Sequence, residues 1–137
     1  MDAGLVKLVA GGVLAAHGIG HALGWMPALG VASFQGVSGR SWALTVLIGD
    51  GGARLVGGVL FLLPMAGFLL AAGGLLTGQP WWRQAAVGSA AISLLATALY
   101  PHAFTTGSTI GSVIVNVAVL YGILVAGWGA QGAAAQV

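Results

Sequence analysis

The chain has 137 residues, of which 58% are hydrophobic and only 4% are charged. A soluble domain carries about 25% charged residues, so this chain lacks the polar surface of a water-soluble fold, and an integral membrane protein is predicted. The four basic residues are scattered, which excludes the basic patch of a nucleic-acid-binding protein. Cysteine is absent and the only carboxylate side chains are Asp2 and Asp50, which excludes thiolate, iron–sulfur and paired-carboxylate chemistry.

Four segments have the length and apolar character of membrane-spanning helices, for which about 20 residues are needed. The predicted spans cover residues 5–24, 53–76, 82–100 and 110–129. The long loop between the first two contains a short apolar run, Trp42 to Ile48, which is too short to span and is expected to form an interfacial or re-entrant helix. We therefore predict an all-α fold in which residues 1–137 form a single four-helix transmembrane domain.

Four spans place both termini and the 77–81 loop on one side of the membrane. The opposite end of the bundle, here called side B, carries the 25–52 and 101–109 loops. Polar residues gather toward side B. They are His17, His21, Asp50, Arg54, Tyr100, His102 and Asn116.

The distribution of basic residues predicts the orientation. Lys7 and Arg83 lie toward the side of the termini, whereas Arg40 and Arg54 lie toward side B, so the count is even. Because Asp50 offsets one positive charge on side B, we expect cytoplasmic termini and a multi-pass protein of the inner (plasma) membrane.

The segment HGIGH places His17 and His21 four residues apart, on one face of a helix. Two further polar stripes follow helical spacing, Ser89-Ser93-Thr97 and Ser108-Ser112-Asn116. Such stripes are more stable inside a bundle than against lipid, so a shared polar pocket near side B is predicted. The predicted ligand-binding residues are His17, His21, Arg54, Tyr100 and Asn116.

The ionisable residues allow several interpretations. Asp50 and Arg54 have i, i+4 spacing and are expected to form an ion pair at the corner between the loop and the second span, with a proton relay as the alternative. Histidines at i, i+4 can hold Zn or Cu, with His102 or Asp50 as a third ligand. A haem would need His102 opposite His17 or His21. Alternatively, one histidine hydrogen-bonds Asp50 or Asn116 and the other lies at the membrane interface.

Three stretches carry a family resemblance: LVKLVAGGVLAAHGIGHALGW, SWALTVLIGDGGARLVGGVLFLLP and PWWR. Together they resemble small bacterial four-helix membrane proteins around the DoxX family, over residues 5–83. The resemblance implies an integral four-helix bundle, and some such proteins are accessory subunits of quinone-linked sulfur oxidation. By this resemblance Lys7 corresponds to a basic residue that opens the first helix, and His17-Gly18 to a His-Gly pair. His21 stands where a lysine is common.

Three functional hypotheses remain open. The first is a non-enzymatic binding or accessory protein whose pocket receives a quinone-like lipophilic molecule or docks a partner subunit, since a quinone carbonyl needs a hydrogen-bond donor. The second is a redox subunit with a histidine-ligated metal or haem. The third is a small proton-coupled transporter that uses Asp50 as its coupling group. The expected partners are the lipid bilayer and either a second membrane subunit or further copies of the chain, and no nucleic acid.

Overall fold

The computed structural model describes residues 2–128, and all regular structure in that range is helical. The helices are α1 (Ala3–Gly20), α2 (Ala22–Ala28), α3 (Leu44–Thr77), α4 (Trp82–Leu99) and α5 (Thr106–Leu124). Only His21 separates α1 from α2, and the backbone there keeps right-handed helical angles. The predicted all-α class is confirmed. Residue 129, where the fourth predicted span ends, and the position of the C-terminus lie outside the described residues.

Three helical stretches are long and apolar enough to cross a membrane, namely Ala3–Ala28, Leu44–Thr77 and Thr106–Leu124. This indicates a helical membrane protein. Helix α4 is not among the three, because polar residues such as Arg83 and Gln84 lower its hydropathy. The third predicted span therefore exists as a helix with nearly the predicted bounds, and its crossing of a membrane stays a prediction.

The helices form an antiparallel bundle around α3. Helix α3 packs against α1, α2 and α4, and α4 packs against α5. Small residues allow this close approach: a Cβ atom at Gly67 of α3 would collide with the hydroxyl of Ser89 on α4. The buried face of α4 consists of Ala86, Ser89, Ala90, Ser93, Ala96 and Thr97. In contrast, α1 and α5 hardly touch, so the bundle is left open along one flank.

The short apolar run after the long loop belongs to α3. Leu44 begins this helix, and Gly49 interrupts it with φ 77° and ψ 169°. A positive φ of this kind is available to glycine and strained for other residues. The expected separate short helix is thus a turn that continues into the main helix through a bend at Gly49.

This turn is fastened to the end of α4 by two side chains. The hydroxyl of Ser41 donates to the carbonyl oxygen of Leu99 (2.8 Å), and the indole of Trp42 donates to that of Ala98 (2.9 Å). The last carbonyl groups of a helix have no partner within it, and away from water such groups need one. The loop between α2 and α3 therefore satisfies the side-B end of α4.

The apolar core consists of two clusters stacked along the bundle. One cluster contains Leu14, Phe68, Ala71, Ala72, Ala86, Ala90 and Ile123. The other, toward side B, contains Phe61, Ala96, Tyr100, Ala103 and Phe104. The ring of His17 lies against Phe68 of the first cluster (ring centroids 4.8 Å apart), and that of His21 lies 6.3 Å from Phe104 of the second. A polar layer thus separates the two apolar clusters.

Candidate functional site

Four polar side chains from four parts of the bundle meet in this layer. His17 comes from α1, His21 from the junction of α1 and α2, Ser93 from α4 and Asn116 from α5. We call these four residues the histidine layer. His21 and Asn116 are 2% and 0% exposed and Ser93 is 0% exposed, so three members are sealed from the surroundings. His17 is half-buried.

The members of the histidine layer are joined by one chain of hydrogen bonds. Nε2 of His17 lies 2.9 Å from Oδ1 of Asn116. Nδ2 of Asn116 donates to Oγ of Ser93 (2.7 Å), which lies 2.8 Å from Nε2 of His21. Nδ1 of His21 in turn lies 2.9 Å from the main-chain oxygen of His17. The chain of bonds therefore begins at the ring of one histidine and returns to the backbone of the same residue.

The partners assign a direction to every bond in this chain. A carbonyl oxygen can only accept, so Nδ1 of His21 carries a hydrogen and donates it to the oxygen of His17. Nε2 of a neutral His21 then accepts from the hydroxyl of Ser93, which in turn accepts from the amide of Asn116. The amide oxygen of Asn116 accepts in its turn, so Nε2 of His17 is its donor.

A charged His21 would break this pattern. If both ring nitrogens of His21 donated, the hydroxyl hydrogen of Ser93 would lose its acceptor, and a buried positive charge would lie among aromatic rings. An unpaired buried charge is strongly unfavourable. The neutral arrangement satisfies both nitrogens of His21. It leaves Nδ1 of His17 as an unprotonated acceptor without an intramolecular partner among residues 2–128.

The histidine layer lies near the middle of the bundle. Asn116 is about 15 Å from the beginning of α5 and about 12 Å from its end, at 1.5 Å per residue. On the other side, α2 extends the helical stretch beyond His21 to Ala28. The polar residues of the histidine layer therefore lie near the middle of the bundle, and the position of a membrane face relative to them stays a prediction.

His17 also lines a cleft on the open flank of the bundle. The cleft lies between α1 and α5, has a volume of about 410 Å³ and is open to the outside. Its walls are mainly apolar. They include Val13, Ala16 and His17 of α1 and Ser108, Ser112 and Val115 of α5. Nδ1 of His17 is not among the buried unpartnered atoms, so it has exposed surface, and His17 is one of the residues that line this cleft.

Two predicted ligand-binding residues have other roles. Tyr100 is 1% exposed, and its hydroxyl donates to the carbonyl oxygen of Ala53. Arg54 donates through Nε to the oxygen of Ala28 (3.1 Å) and through Nη2 to that of Pro27 (2.9 Å). Neither lines the cleft. The structure therefore brings together His17, His21 and Asn116 of the predicted set, and separates Tyr100 and Arg54 from them.

The predicted ion pair between Asp50 and Arg54 is wrong. Asp50 instead lies 3.5 Å from Nε of Arg40, and both side chains are more than half exposed. The helix is continuous from Asp50 to Arg54, but each side chain has another partner: Arg40 for Asp50, and the oxygens of Ala28 and Pro27 for Arg54. Arg54 meets the open carbonyl end of α2, where a cation is favoured by the helix dipole as well as by hydrogen bonding.

The predicted metal site of His17, His21 and His102 is not formed. Within residues 2–128 no group of three histidine, cysteine or acidic side chains is close enough to hold a metal ion. His102 is exposed in the turn after α4, and its main-chain oxygen accepts from the amide of Ser38 (2.8 Å). In addition, both ring nitrogens of His21 are already hydrogen-bonded.

Ser93 is the member of the layer that was not predicted as a site residue. It belongs to the predicted Ser89-Ser93-Thr97 stripe, but helical spacing does not tell which of the three hydroxyls faces the histidines. In the structure Ser89 donates to the oxygen of Ala85 on its own helix (2.7 Å), while Ser93 bonds across to His21 and Asn116.

Comparison with protein-family models, curated proteins and solved structures finds no match to this chain. The resemblance to the DoxX family therefore stays a prediction.

Proposed function

We propose that this chain is a small membrane-embedded binding protein, in which the cleft between α1 and α5 receives a lipophilic molecule with its polar head at His17. One observation carries the proposal: a mainly apolar cleft on the flank of the bundle ends at a single reachable, unpartnered nitrogen. In a bilayer this flank would face the acyl chains, so a lipophile could enter sideways. Binding sites of this kind combine apolar walls with few polar groups that fix orientation.

The packing of the bundle supports this function. Helix α3 packs against α1, α2 and α4, and α4 packs against α5, whereas α1 and α5 have few contacts and are joined by the hydrogen bond of His17 to Asn116. The buried side chains of the histidine layer are hydrogen-bonded to one another, so Nδ1 of His17 is the atom of the layer that remains for a ligand. Of the quinone-like molecules that the family resemblance implies, the reduced quinol form belongs to this class of ligand, because its hydroxyl can donate to Nδ1 of His17.

The arrangement gives less support to proton-coupled transport. Asp50, the expected coupling group, is 54% exposed and lies beside Arg40 outside the bundle core. Between the two histidines the chain of bonds passes through the side-chain amide of Asn116. An amide nitrogen donates and an amide oxygen accepts, so a proton is not passed on without changing the amide itself.

Two glycines of α5 provide a matched test. Gly111 lines the cleft and Gly107 does not, and at both positions an added Cβ atom would meet nothing within 4 Å. We expect that Gly111→Leu fills the cleft and that Gly107→Leu leaves it open, without a clash in either. The measurement is mass spectrometry of lipophiles that copurify with the protein, compared with the bulk membrane.

The expected result is a lipophile that is enriched with the unmodified chain and with Gly107→Leu, and lost with Gly111→Leu. Equal retention by both variants would place the ligand outside the cleft. Absence of any enriched lipophile from the unmodified chain would contradict the proposed function.

A further inference from the structure

We infer that the cleft selects molecules whose head group donates a hydrogen bond, such as a lipophilic phenol or alcohol, over matching molecules that can only accept. This inference rests on the proposed function and concerns the chemistry of the same site. It follows from the hydrogen that the interior network assigns to His17.

Nδ1, and not Nε2, is the nitrogen of His17 that is left for a ligand. Nε2 is engaged by the amide oxygen of Asn116 and must carry the hydrogen of the neutral ring. Nδ1 is left as a lone pair at the cleft. A lone pair accepts a hydrogen bond and repels another lone pair, so a hydroxyl fits this position and an ether or carbonyl oxygen does not.

The hydrogen bonds of the layer also prevent a flip of the Asn116 amide, in which its oxygen and nitrogen would change places. If its oxygen and nitrogen changed places, the nitrogen would donate to Nε2 of His17, and the oxygen would need the hydrogen of Ser93. Ser93 would then have no hydrogen left to donate to Nε2 of His21. The one hydrogen of the neutral His21 ring is already on Nδ1, which donates to the main-chain oxygen of His17. His21 would have to be charged to donate to Ser93. Asn116, Ser93 and His21 are therefore positioning residues that keep Nδ1 of His17 an acceptor.

The hydroxyl group of a ligand can also bond to a second side chain of the cleft, Ser112. Ser112 lines the cleft, and its oxygen lies 3.5 Å from Nδ2 of Asn116. Among the described residues 2–128 its hydroxyl donates no hydrogen bond, so it can donate to the oxygen of a ligand. A phenol satisfies both groups, whereas its methyl ether satisfies only Ser112. The comparison of the two molecules therefore isolates the bond to His17.

The test uses 4-nonylphenol and its methyl ether with the full chain in lipid nanodiscs. Binding is measured at equilibrium, and protein-free nanodiscs correct for the different partitioning of the two probes into lipid. We expect the phenol to bind about fivefold more tightly, the ratio that corresponds to one net hydrogen bond. In His17→Leu the ratio should fall to about one, and His102→Leu, which removes an exposed histidine outside the cleft, should keep it.

Histidine nitrogen NMR provides a readout that does not depend on ligand. We expect neutral His17 to carry its hydrogen on Nε2 in the unmodified chain, and to populate both forms in Asn116→Ala. The phenol preference should decrease in that variant as well. If Asn116→Ala does not fold, the spectra of the unmodified chain and its two binding constants still decide the matter.

The outcomes separate the two proposals. Equal binding of both probes, with both displaced by Gly111→Leu, would overturn the donor preference and retain the cleft as a binding site. A hydrogen on Nδ1 of neutral His17 would overturn the preference for donor ligands, because Nδ1 would then not be an acceptor. Binding of neither probe would contradict the proposed function together with the preference.

Discussion

The middle of the bundle and its side-B end both keep polar side chains away from water, but the partners differ. In the histidine layer, three of the four hydrogen bonds join side chain to side chain. At side B, Ser41, Trp42, Arg54 and Tyr100 all donate to main-chain oxygens. A main-chain oxygen can only accept a hydrogen bond, so the direction of these bonds cannot change. They hold the helix ends and the loop in place. A chain of hydrogen bonds between side chains has a donor-to-acceptor direction and can leave one atom at its end without a partner. In the histidine layer that atom is Nδ1 of His17.

The largest effect on stability should come from the centre of the histidine layer. Asn116→Leu removes the partner of Nε2 of His17 and the donor to Ser93, and leaves polar groups unsatisfied inside the bundle. We expect a loss of about 2–3 kcal/mol in the free energy of unfolding. The measurement is unfolding in mixed micelles. Ser112→Ala, which touches the layer only through a 3.5 Å contact, is the control. Equal losses in both variants would mean that the network does not stabilise the fold.

A smaller effect is expected from the fixed bonds at side B. Arg54→Gln removes a charged donor from the carbonyl end of α2 and should lower the free energy of unfolding by about 2 kcal/mol. Asp50→Asn breaks only the exposed pair with Arg40 and should lower it by less than about 1 kcal/mol. Because Asp50 and Arg54 do not pair, the two losses should add in the double variant. If the double variant were instead more stable than the sum of the two losses predicts, Asp50 and Arg54 would form the ion pair expected from their spacing.

A smaller effect than that of Arg54→Gln should come from Tyr100. Tyr100→Phe keeps the ring against Phe61 (centroids 5.9 Å apart) and removes only the bond to the oxygen of Ala53. We expect a loss of about 1 kcal/mol in unfolding free energy and unchanged affinity for 4-nonylphenol. Weaker binding of this probe, with the fold intact, would show that the two regions are not independent.

The sequence allowed the helices to be predicted more reliably than their contacts. The bounds of α4 and most of α3 and α5 follow from local hydropathy, which depends on no other part of the chain. The bend at Gly49 lies within an apolar stretch, and glycine is too common in this chain for any single one to mark a bend. The predicted pair of Asp50 and Arg54 was wrong because Arg54 bonds to the carbonyl end of α2 instead. This partner could not be foreseen, since the first span was predicted to end at residue 24 and α2 continues to Ala28.

The polar stripes were a better guide to the candidate site. Buried polar residues at helical spacing indicated that His17, His21 and Asn116 face the interior, and the structure brings them together. The direction of the bonds could not be predicted, because it depends on Ser93 and on the rotation of α4 between its neighbours. His102 was included only for its residue type and lies elsewhere.

The seam between α1 and α5 also has a consequence in time. His17 and Asn116 are 99 residues apart, and His21 and Ser93 are 72 residues apart. At about 5–20 residues per second, Asn116 is synthesised roughly 5–20 s after His17. During that interval the first helix carries two histidines into the membrane without their side-chain partners. Only the arrival of α5 gives His17 its bonding partner and the cleft its second wall, so this cleft is not formed until α5 is in place.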